Sequence, residues 1–190
     1  MYRKVNVKNP FEVFLDIGWR LFLRRGESPG IETFWGIGRK GRSLRWAHNI
    51  LHNDGEEFIS KLFTTATTIP TNLYIGLDDR SSLAESDALT TIAATEPSTG
   101  SYARATVALA SAVTAELDGG TGDWQFRTNV FNFAPSGANW GTLSNAFLTT
   151  QASAQTGQFL LASRAFSAQR TINDGDDIDV SIIMRFREAA

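Results

Sequence analysis

From about residue 70 to the end of the chain, apolar and polar residues alternate in short runs separated by clusters of turn-forming residues. The runs are TNLYIGLDD, SYARATVALASAV, DWQFRTNVFNF, QFLLASRAF and DIDVSIIMRFR. A period of two predicts β-strands, and the Gly, Asp, Asn, Ser and Pro clusters between them predict turns. The last run is the clearest strand, since one face of it is wholly apolar: Ile178, Val180, Ile182, Met184 and Phe186.

Two of these runs have unusual features. SYARATVALASAV is long and low in bulky side chains, and its alternation predicts one extended strand. In DWQFRTNVFNF, an odd separation divides the aromatic pair Trp124 and Phe126 from the pair Phe131 and Phe133, which requires a β-bulge or a change of register. Because no helical pattern lies between the runs, the sequence predicts a mainly β fold, an antiparallel, jelly-roll-like β-sandwich over residues 66–190.

Before residue 66 the period is helical in two places. Glu12, Asp16, Arg20 and Arg24 recur at every fourth residue, which predicts a helix from about Pro10 to Arg25 with apolar residues over most of its remaining surface. A shorter amphipathic helix is predicted for about Gly55 to Phe63. There Asp54 and Glu57 have the spacing of a capping box.

Charge divides the chain after Trp46. Up to that residue ten Lys and Arg stand against four Asp and Glu, a net +6, whereas the remainder has eight against sixteen, a net −8. This predicts a basic aromatic arm (1–46), a connecting helix (47–65) and the β-domain. The arm either packs on its own domain or binds a neighbouring subunit, and we favour the latter. The predicted partner-binding residues are Phe14, Trp19, Phe22, Arg24, Arg25, Trp35, Arg39, Lys40, Arg42 and Arg45.

The arm contains a G-x-G-x-x-G pattern in FWGIGRKGR, formed by Gly36, Gly38 and Gly41. A dinucleotide site requires a hydrophobic strand before the first glycine and a packed helix after the third. The preceding RRGESPGIETFW is broken by glycine and proline, and no alternation of strands and helices follows. We therefore interpret the pattern as a flexible basic hinge and expect no cofactor.

Other candidate chemistry is sparse. His48 and His52 have the spacing of two zinc ligands, but Asn49 stands where a metalloprotease has its glutamate, and the chain has no cysteine. Asp174, Asp176, Asp177 and Asp179 lack the ligand order of an EF-hand, so we expect a tight turn rather than a calcium site. No nucleophile elbow, P-loop or membrane-spanning run is present, and we expect no catalytic or metal-binding residues.

Five segments occur in an order that resembles a family of small tailed-bacteriophage virion proteins. They are HNILHNDGEEFISKLF, PTNLYIGLDD, EPSTGSYARATV, FNFAPSGANWGTLSNAFLTT and TINDGDDIDVSIIMRF, within about residues 47–187. The most specific part runs from Glu96-Pro97 to Tyr102-Ala103-Arg104. Proteins of this kind are described as tail, fibre or head-decoration components. The resemblance implies a structural β-sandwich module without catalytic residues.

We therefore expect a phage structural protein of the virion, assembled in the host cytoplasm. Capsid decoration or cement is the first expectation, with the arm attached to the major capsid protein or to other virion proteins. A tail, baseplate or fibre component is the alternative. A further one is a carbohydrate-binding adhesin, in which Trp124 and Trp140 would stack on sugars. Exposed strand edges favour a homo-oligomer, and we expect a trimer. No specific nucleic acid is expected as a partner.

Overall fold

The computed structural model describes residues 30–40, 42–48, 50–64, 68–80, 83–120, 122–153 and 159–187. The predicted helix at Pro10–Arg25 lies outside this range, as do Phe14, Trp19, Phe22, Arg24 and Arg25. The described elements, in chain order, are β1 (Gly30–Gly38), β2 (Arg45–His48), β3 (Ile50–Leu51), α1 (Asn53–Phe63), β4 (Asn72–Asp78), α2 (Leu89–Ala93), β5 (Ala105–Ala108), β6 (Val113–Leu117), β7 (Trp124–Thr128), β8 (Phe131–Phe133), β9 (Gly141–Thr149), β10 (Leu160–Ile172) and β11 (Ile178–Arg187).

The strands form two antiparallel sheets. The first sheet has the order β2-β1-β11-β7-β6, with β8 also paired to β11, and the second has the order β3-β10-β9-β4-β5. One hydrophobic core joins residues of both sheets, among them Trp35, Val180 and Ile182 from the first and Ile75 and Leu148 from the second. The mainly β, antiparallel sandwich predicted from the alternating pattern is confirmed. The structure also shows strands within residues 30–51, which the sequence had assigned to the arm and the connecting helix.

β11 is a central strand of the first sheet. It pairs with β1 on one side and with β7 and β8 on the other. The predicted apolar face from Ile178 to Phe186 is buried, and Ser181 and Ile183 on the opposite face are buried as well. This second face is covered by aromatic and arginine side chains of the neighbouring strands, described below.

The change of register predicted between Trp124 and Phe133 is confirmed. Arg127 pairs with Ile183, but Phe131 pairs with Val180, so four steps along β7–β8 match three steps along β11. The extra residue forms a bulge. Thr128 stabilises it, because its hydroxyl accepts a hydrogen bond from the Ile182 N–H at 2.9 Å in place of a backbone carbonyl.

The single long strand predicted for SYARATVALASAV is wrong. β5 ends at Ala108, where a turn begins in which the Ala112 N–H donates to the Ala108 carbonyl at 2.7 Å. The turn carries the chain from the second sheet, where β5 pairs with β4, to the first, where β6 pairs with β7. Small residues leave the alternating pattern intact on both sides of such a turn, so periodicity alone does not reveal it.

The outer side of the second sheet is covered by the segment between β4 and β5. Leu89 and Ile92 of this segment pack on Phe147 and Leu160 of the sheet. A Cβ on Gly76 would overlap the Phe147 ring, so glycine at this position of β4 makes room for the aromatic side chain. The segment is thereby packed against the sheet rather than exposed as a loop.

A buried ion pair fixes the same segment. Arg104 Nη2 lies 2.5 Å from Glu96 Oε2, and the Tyr102 hydroxyl lies 2.7 Å from Glu96 Oε1. Arg104 also donates to the Gln151 carbonyl at 2.9 Å, so both charged groups are hydrogen-bonded away from water. This is the Glu96-to-Arg104 stretch that carried the most specific part of the resemblance, and its role here is structural.

α1 packs against β10 at the side of the sandwich. It begins at Asn53, two residues earlier than predicted, and the predicted capping box does not form. Asp54 instead accepts a hydrogen bond from the Leu160 N–H at 3.4 Å. Neither α1 nor α2, the two helices of the described residues, has the length and apolar character needed to cross a membrane.

Asp78 is a fully buried carboxyl group at the end of β4. Its Oδ1 accepts hydrogen bonds from the Arg80 N–H at 2.8 Å and from Asn145 Nδ2 at 3.0 Å. Burial nevertheless raises the pKa of Asp78 to about 6, because these hydrogen bonds only partly offset the loss of hydration. The folded protein therefore binds this proton more tightly than the unfolded chain does.

We predict that Asp78→Asn is more stable than the wild type at pH 7 and that this advantage disappears in acid. Asn keeps the oxygen that accepts hydrogen bonds and removes a buried negative charge. In the wild type this charge lowers the free energy of unfolding above pH 6 and is neutralised by protonation below pH 4. The difference in unfolding free energy between the two proteins should therefore fall by about 2–3 kcal/mol from pH 7 to pH 4. Urea denaturation across this range measures it. Asp79→Asn, at the exposed neighbouring position, is the control; a wild-type–Asp78→Asn difference that does not vary with pH would contradict the assignment.

Candidate interaction surface

The candidate surface is built on the hairpin formed by β1 and β2 at one edge of the first sheet. In this hairpin Phe34 pairs with His48 and Gly36 pairs with Trp46. The connecting turn is held at two points: the Arg42 N–H donates to the Arg39 carbonyl at 2.9 Å, and the Lys40 N–H donates to Asp177 Oδ1 at 2.9 Å. The second bond ties the turn to the loop between β10 and β11.

The turn, together with the first residue of β2, presents four of the predicted partner-binding cations to solvent. Arg39, Lys40, Arg42 and Arg45 are all exposed. Only the backbone of Lys40 is used in the bond to Asp177, so its ammonium group remains available. We call these four residues the cationic turn.

Trp35 differs from the other predicted contact residues. Its side chain is fully buried in the core, and it stands opposite Ile182 in the β1–β11 pairing. In this structure Trp35 is therefore a core residue of the β-sandwich and not an exposed anchor. The aromatic composition that suggested an interaction arm reflects, at this position, the interior of the chain's own fold.

The predicted flexible hinge is wrong for Gly36 and Gly38, which lie in β1; Gly41 lies outside the described residues. A Cβ added to Gly36 would lie 2.9 Å from two ring atoms of Trp46, and one on Gly38 would lie 3.1 Å from Leu44. Both glycines thus allow the β2 side of the hairpin to lie close over β1. The first two glycines of the pattern therefore have a packing role, and they lie on a strand rather than in a turn before a helix.

Aromatic and arginine side chains cover the outer side of the first sheet. The Arg127 guanidinium lies 5.8 Å from the centre of the Trp46 ring, and that of Arg185 lies 4.9 Å from the centre of the Phe34 ring. The ring centres of Phe34 and His48 are 4.4 Å apart. We call Phe34, Trp46, Arg127 and Arg185 the aromatic–arginine face. Of these, Trp46 is 40% exposed and is the large apolar group that this face offers to a partner.

Acidic residues near β6 hold the two arginines in place. Arg127 Nε lies 3.3 Å from Glu116 Oε1, and Arg185 Nη2 lies 3.0 Å from Asp118 Oδ2. The charges of these arginines are therefore balanced within the chain. The cationic turn, at the opposite edge of the same sheet, is where positive charge is presented to solvent.

This arrangement suits the recognition of another protein. Arginine and tryptophan are enriched where protein interfaces are buried, and exposed cations increase the rate of association with an acidic surface. The predicted contact residues include the four cations but not Phe34, Trp46, Arg127 and Arg185. Phe34 and Trp46 had a sequence signal as aromatic residues of the basic arm, whereas Arg127 and Arg185 had only a place on alternating strands. The strands that bring the four together are as much as 150 residues apart in the chain.

The two histidines lie in different settings. His48 is on exposed β2, whereas His52 is fully buried before α1, with Nε2 2.6 Å from Ser163 Oγ. Burial lowers the pKa of His52, so this ring is neutral in the folded protein. It acts as a hydrogen-bonding residue of the core, joining the start of α1 to β10.

The acidic cluster between β10 and β11 makes hydrogen bonds within the turn region. Asp176 Oδ2 accepts from the Asn173 N–H at 2.9 Å, and Gly175 has a φ of 88°, as the predicted tight turn requires. Asp174 accepts from the Gly137 N–H and Asp179 from Asn132. Within the described ranges, no group of three or more His, Asp or Glu side chains is arranged to hold a metal ion.

The two tryptophans proposed for sugar stacking are not equivalent. Trp140 is only 9% exposed, donates to the Gly100 carbonyl at 3.0 Å and packs edge-on against Tyr102. It cannot offer a ring face to a sugar in this conformation. Trp124, on β7, is 37% exposed, so it is the one of the two whose ring reaches the surface.

Comparison with protein families identifies a phage family. A family model described as "Podophage GP4 fiber I protein gp80" matches residues 53–183, more than two thirds of the 190-residue chain. The matched range contains α1 and extends into β11, so it includes most of both sheets. β1 and β2 precede it. No curated protein and no solved structure matches the chain.

We predict that Gly36→Ala destabilises the protein by about 1–2 kcal/mol, because the new methyl group displaces the Trp46 ring. In a Trp46→Ala background the same change should cost much less, since the ring contacts are gone and only the flexible Leu44 Cδ1, 3.0 Å from the new Cβ, has to move. A double-mutant cycle by urea denaturation measures the coupling. Gly119→Ala, where an added Cβ meets open space, is the control. Equal effects in both backgrounds would show that Trp46 does not lie over Gly36.

Proposed function

The chain belongs to the family of the podophage GP4 fiber I protein gp80, and we propose that it is a structural subunit of a phage fibre or of the tail region to which a fibre attaches. Membership of this family confirms the resemblance to tailed-phage virion proteins. The protein is accordingly a structural component of a phage virion. We propose where in the virion the protein lies and which of its surfaces bind a neighbouring protein.

The family description names a fibre, which supports the tail and fibre alternative of the sequence analysis. It lends no specific support to capsid decoration or cement, which the sequence analysis had placed first. The acidic body and basic N-terminal part that suggested decoration suit a fibre subunit equally well, because either must bind a preassembled neighbour. We therefore propose attachment in the tail region in preference to the capsid shell.

The observation that carries the attachment proposal is the placement of the cationic turn. Four exposed cations lie on a hairpin whose first strand is paired along its whole length with central β11, from Gly30–Arg187 to Gly38–Asp179. Charges held on a rigid element lose less conformational entropy on binding than charges on a flexible tail. Trp46 on the adjoining face supplies apolar area, so we propose that the turn and this face together bind an acidic surface of a neighbouring virion protein.

The position in the virion can be tested directly. We expect a gold-labelled antibody against the β-domain to bind at the fibres or the tail of particles viewed by electron microscopy. Label distributed over the faces of the capsid would overturn the fibre or tail position and restore the decoration alternative. This measurement does not depend on which residues make the contact.

We predict that replacing Arg39, Lys40, Arg42 and Arg45 together by Gln reduces incorporation of the protein into particles several-fold. The substitutions remove exposed charge and leave the Lys40 backbone bond to Asp177 intact. Since such contacts are screened over about 8 Å at physiological ionic strength, residual binding should also depend less on salt. Incorporation is measured by quantitative mass spectrometry of particles produced by a phage that lacks its own copy of the gene and is supplied with the variant.

The charge control replaces Lys61 and Arg170 by Gln and is compared with Arg39→Gln/Arg42→Gln, a turn variant that loses the same charge. Arg80 and Arg164 are left unchanged, because Arg80 pairs with Asp87 and Arg164 donates to the His48 carbonyl of β2. Equal incorporation of the turn variant and the wild type would refute the cationic turn as the attachment site. Equal losses in both variants would assign the effect to net charge and would refute it as well.

A further inference from the structure

β6 is the open edge of the first sheet opposite to the cationic turn. Among the described strands it pairs with β7 alone. The Asp118 N–H donates to the Asp123 carbonyl, and the Asn129 N–H donates to the Ala112 carbonyl, so Ala112 and Asp118 direct their backbone groups towards the β7 side. Because these groups alternate in an antiparallel pair, Thr114 and Glu116 also face β7. The N–H and C=O groups of Val113, Ala115 and Leu117 then point outward.

This edge lacks the features that normally keep exposed strands apart. β6 contains no proline and no lysine, and its one charged side chain, Glu116, accepts from Gln125 at 3.1 Å and pairs with Arg127 at 3.3 Å within its own chain. Leu117 is 56% exposed, the most exposed of the large apolar side chains in the described residues. The edge strands β2, β3 and β5 are less suited to pairing with another strand. β3 has only two residues, and β2 carries the charged Arg45. β5 has smaller side chains than β6, and its one larger apolar residue, Val107, is buried.

We propose that β6 pairs with β6 of a second copy of this chain, in antiparallel register centred on Ala115. In this register Val113 stands opposite Leu117 of the second copy, and Thr114 stands opposite Glu116. All three outward-facing residues then form hydrogen-bonded pairs, and each exposed leucine is covered by a valine across the contact. The first sheet of one copy and the first sheet of the other then form one continuous sheet, with a two-fold axis at the contact.

The charge pattern of the strand selects this register. Centring the contact on Glu116 would place two carboxylates directly opposite each other, which is unfavourable. Centring it on Thr114 would leave Leu117 beyond the paired region. Only the register centred on Ala115 pairs every outward-facing backbone group without bringing like charges together, so the strand VTAEL is complementary to itself.

The contact is small. A pair of five-residue strands buries less than the roughly 1,200 Å² of a stable interface, so we expect a dimer that dissociates at about micromolar to hundred-micromolar concentrations. In a particle that holds subunits next to each other, the local concentration of subunits would exceed these values, so the dimer would form there.

The register can be tested with two opposite charges at one exposed position of the full-length protein. Thr114→Glu places a carboxylate opposite Glu116 of the second copy and should weaken the dimer, whereas Thr114→Lys places an ammonium group there and should strengthen it. The pair of residue 114 and Glu116 of the second copy occurs twice in the symmetric dimer. We therefore expect the dimer dissociation constants of Thr114→Glu and Thr114→Lys to differ by about tenfold. Sedimentation equilibrium measures both. Within one chain Thr114 pairs with Arg127, so there a glutamate is favourable and a lysine is unfavourable. If the substitutions acted only on the stability of the monomer, Thr114→Glu would therefore be the more favourable of the two variants.

A covalent test uses the absence of cysteine from the chain. Ala115→Cys places two thiols across the two-fold axis, where the Cα separation of about 5.5 Å in a hydrogen-bonded pair permits a disulfide. Under mild oxidation we expect a covalent dimer from this variant and only background from Val130→Cys, an exposed control site outside β6.

Several results would overturn the proposal. One is a monomer throughout the concentration range together with no crosslinking of Ala115→Cys above the control. Others are equal dissociation constants for the two Thr114 variants, or a trimer whose mass is unchanged by substitutions in β6.

Discussion

β1 pairs with β11 along its whole length, and the other strands of the first sheet take their places around this pair. The pairing joins nine residue pairs from Gly30–Arg187 to Gly38–Asp179 and brings the beginning and the end of the described chain together. Trp35 is thereby placed opposite Ile182, and both are fully buried in the core shared by the two sheets. Without this pairing β11 would lack a neighbour on one side, and β2, which pairs only with β1 among the described strands, would have no place in the sheet. The contact closes a long loop, so its entropic cost is met only when the sandwich core forms with it.

The two sheets are completed differently on their outer sides. The second sheet is covered by the segment from β4 to β5, which is held by the apolar contacts of Leu89 and Ile92 and by the buried Glu96–Arg104 pair. Removing one member of such a pair leaves an unbalanced buried charge, which typically costs about 3–5 kcal/mol. The first sheet carries instead a layer of aromatic and arginine side chains on the strands themselves, anchored by Glu116 and Asp118. This difference explains why the surfaces suited to partners lie on the first sheet.

A subunit of a fibre or tail needs contacts of two kinds, one with its neighbours and one with copies of itself. The two edges of the first sheet are chemically distinct in a way that matches this need. The β2 edge is cationic and carries Trp46, which suits an acidic neighbour, whereas the β6 edge has its only charge already paired and exposes Leu117. Distinct edges also reduce unwanted pairing, because a cationic edge does not readily bind another of the same kind. His52, Asp78 and Arg104 are buried and are not part of either exposed edge. His52 and Arg104 make hydrogen bonds that hold the fold together, whereas the ionised form of Asp78 lowers stability.

The class of fold follows from the sequence, because a period of two and turn residues are local properties. The sequence located β4, β11 and α1 to within two residues, and it required the irregularity that the structure shows as the bulge after Thr128. Four surface cations were also recognisable, since charged side chains on a turn are solvated wherever the turn lies. Long-range contacts, not the local pattern, show that the chain changes sheets after Ala108, that Gly36 lies on a strand beneath Trp46, and that Trp35 belongs to the core. Tertiary structure alone also assembled the aromatic–arginine face, because Phe34 and Arg185 are distant in sequence and meet only through the β1–β11 register. The physical reason is common to these cases: a local pattern specifies which side chains share a face, but the partner of that face is set by long-range pairing and the exclusion of water from the whole core.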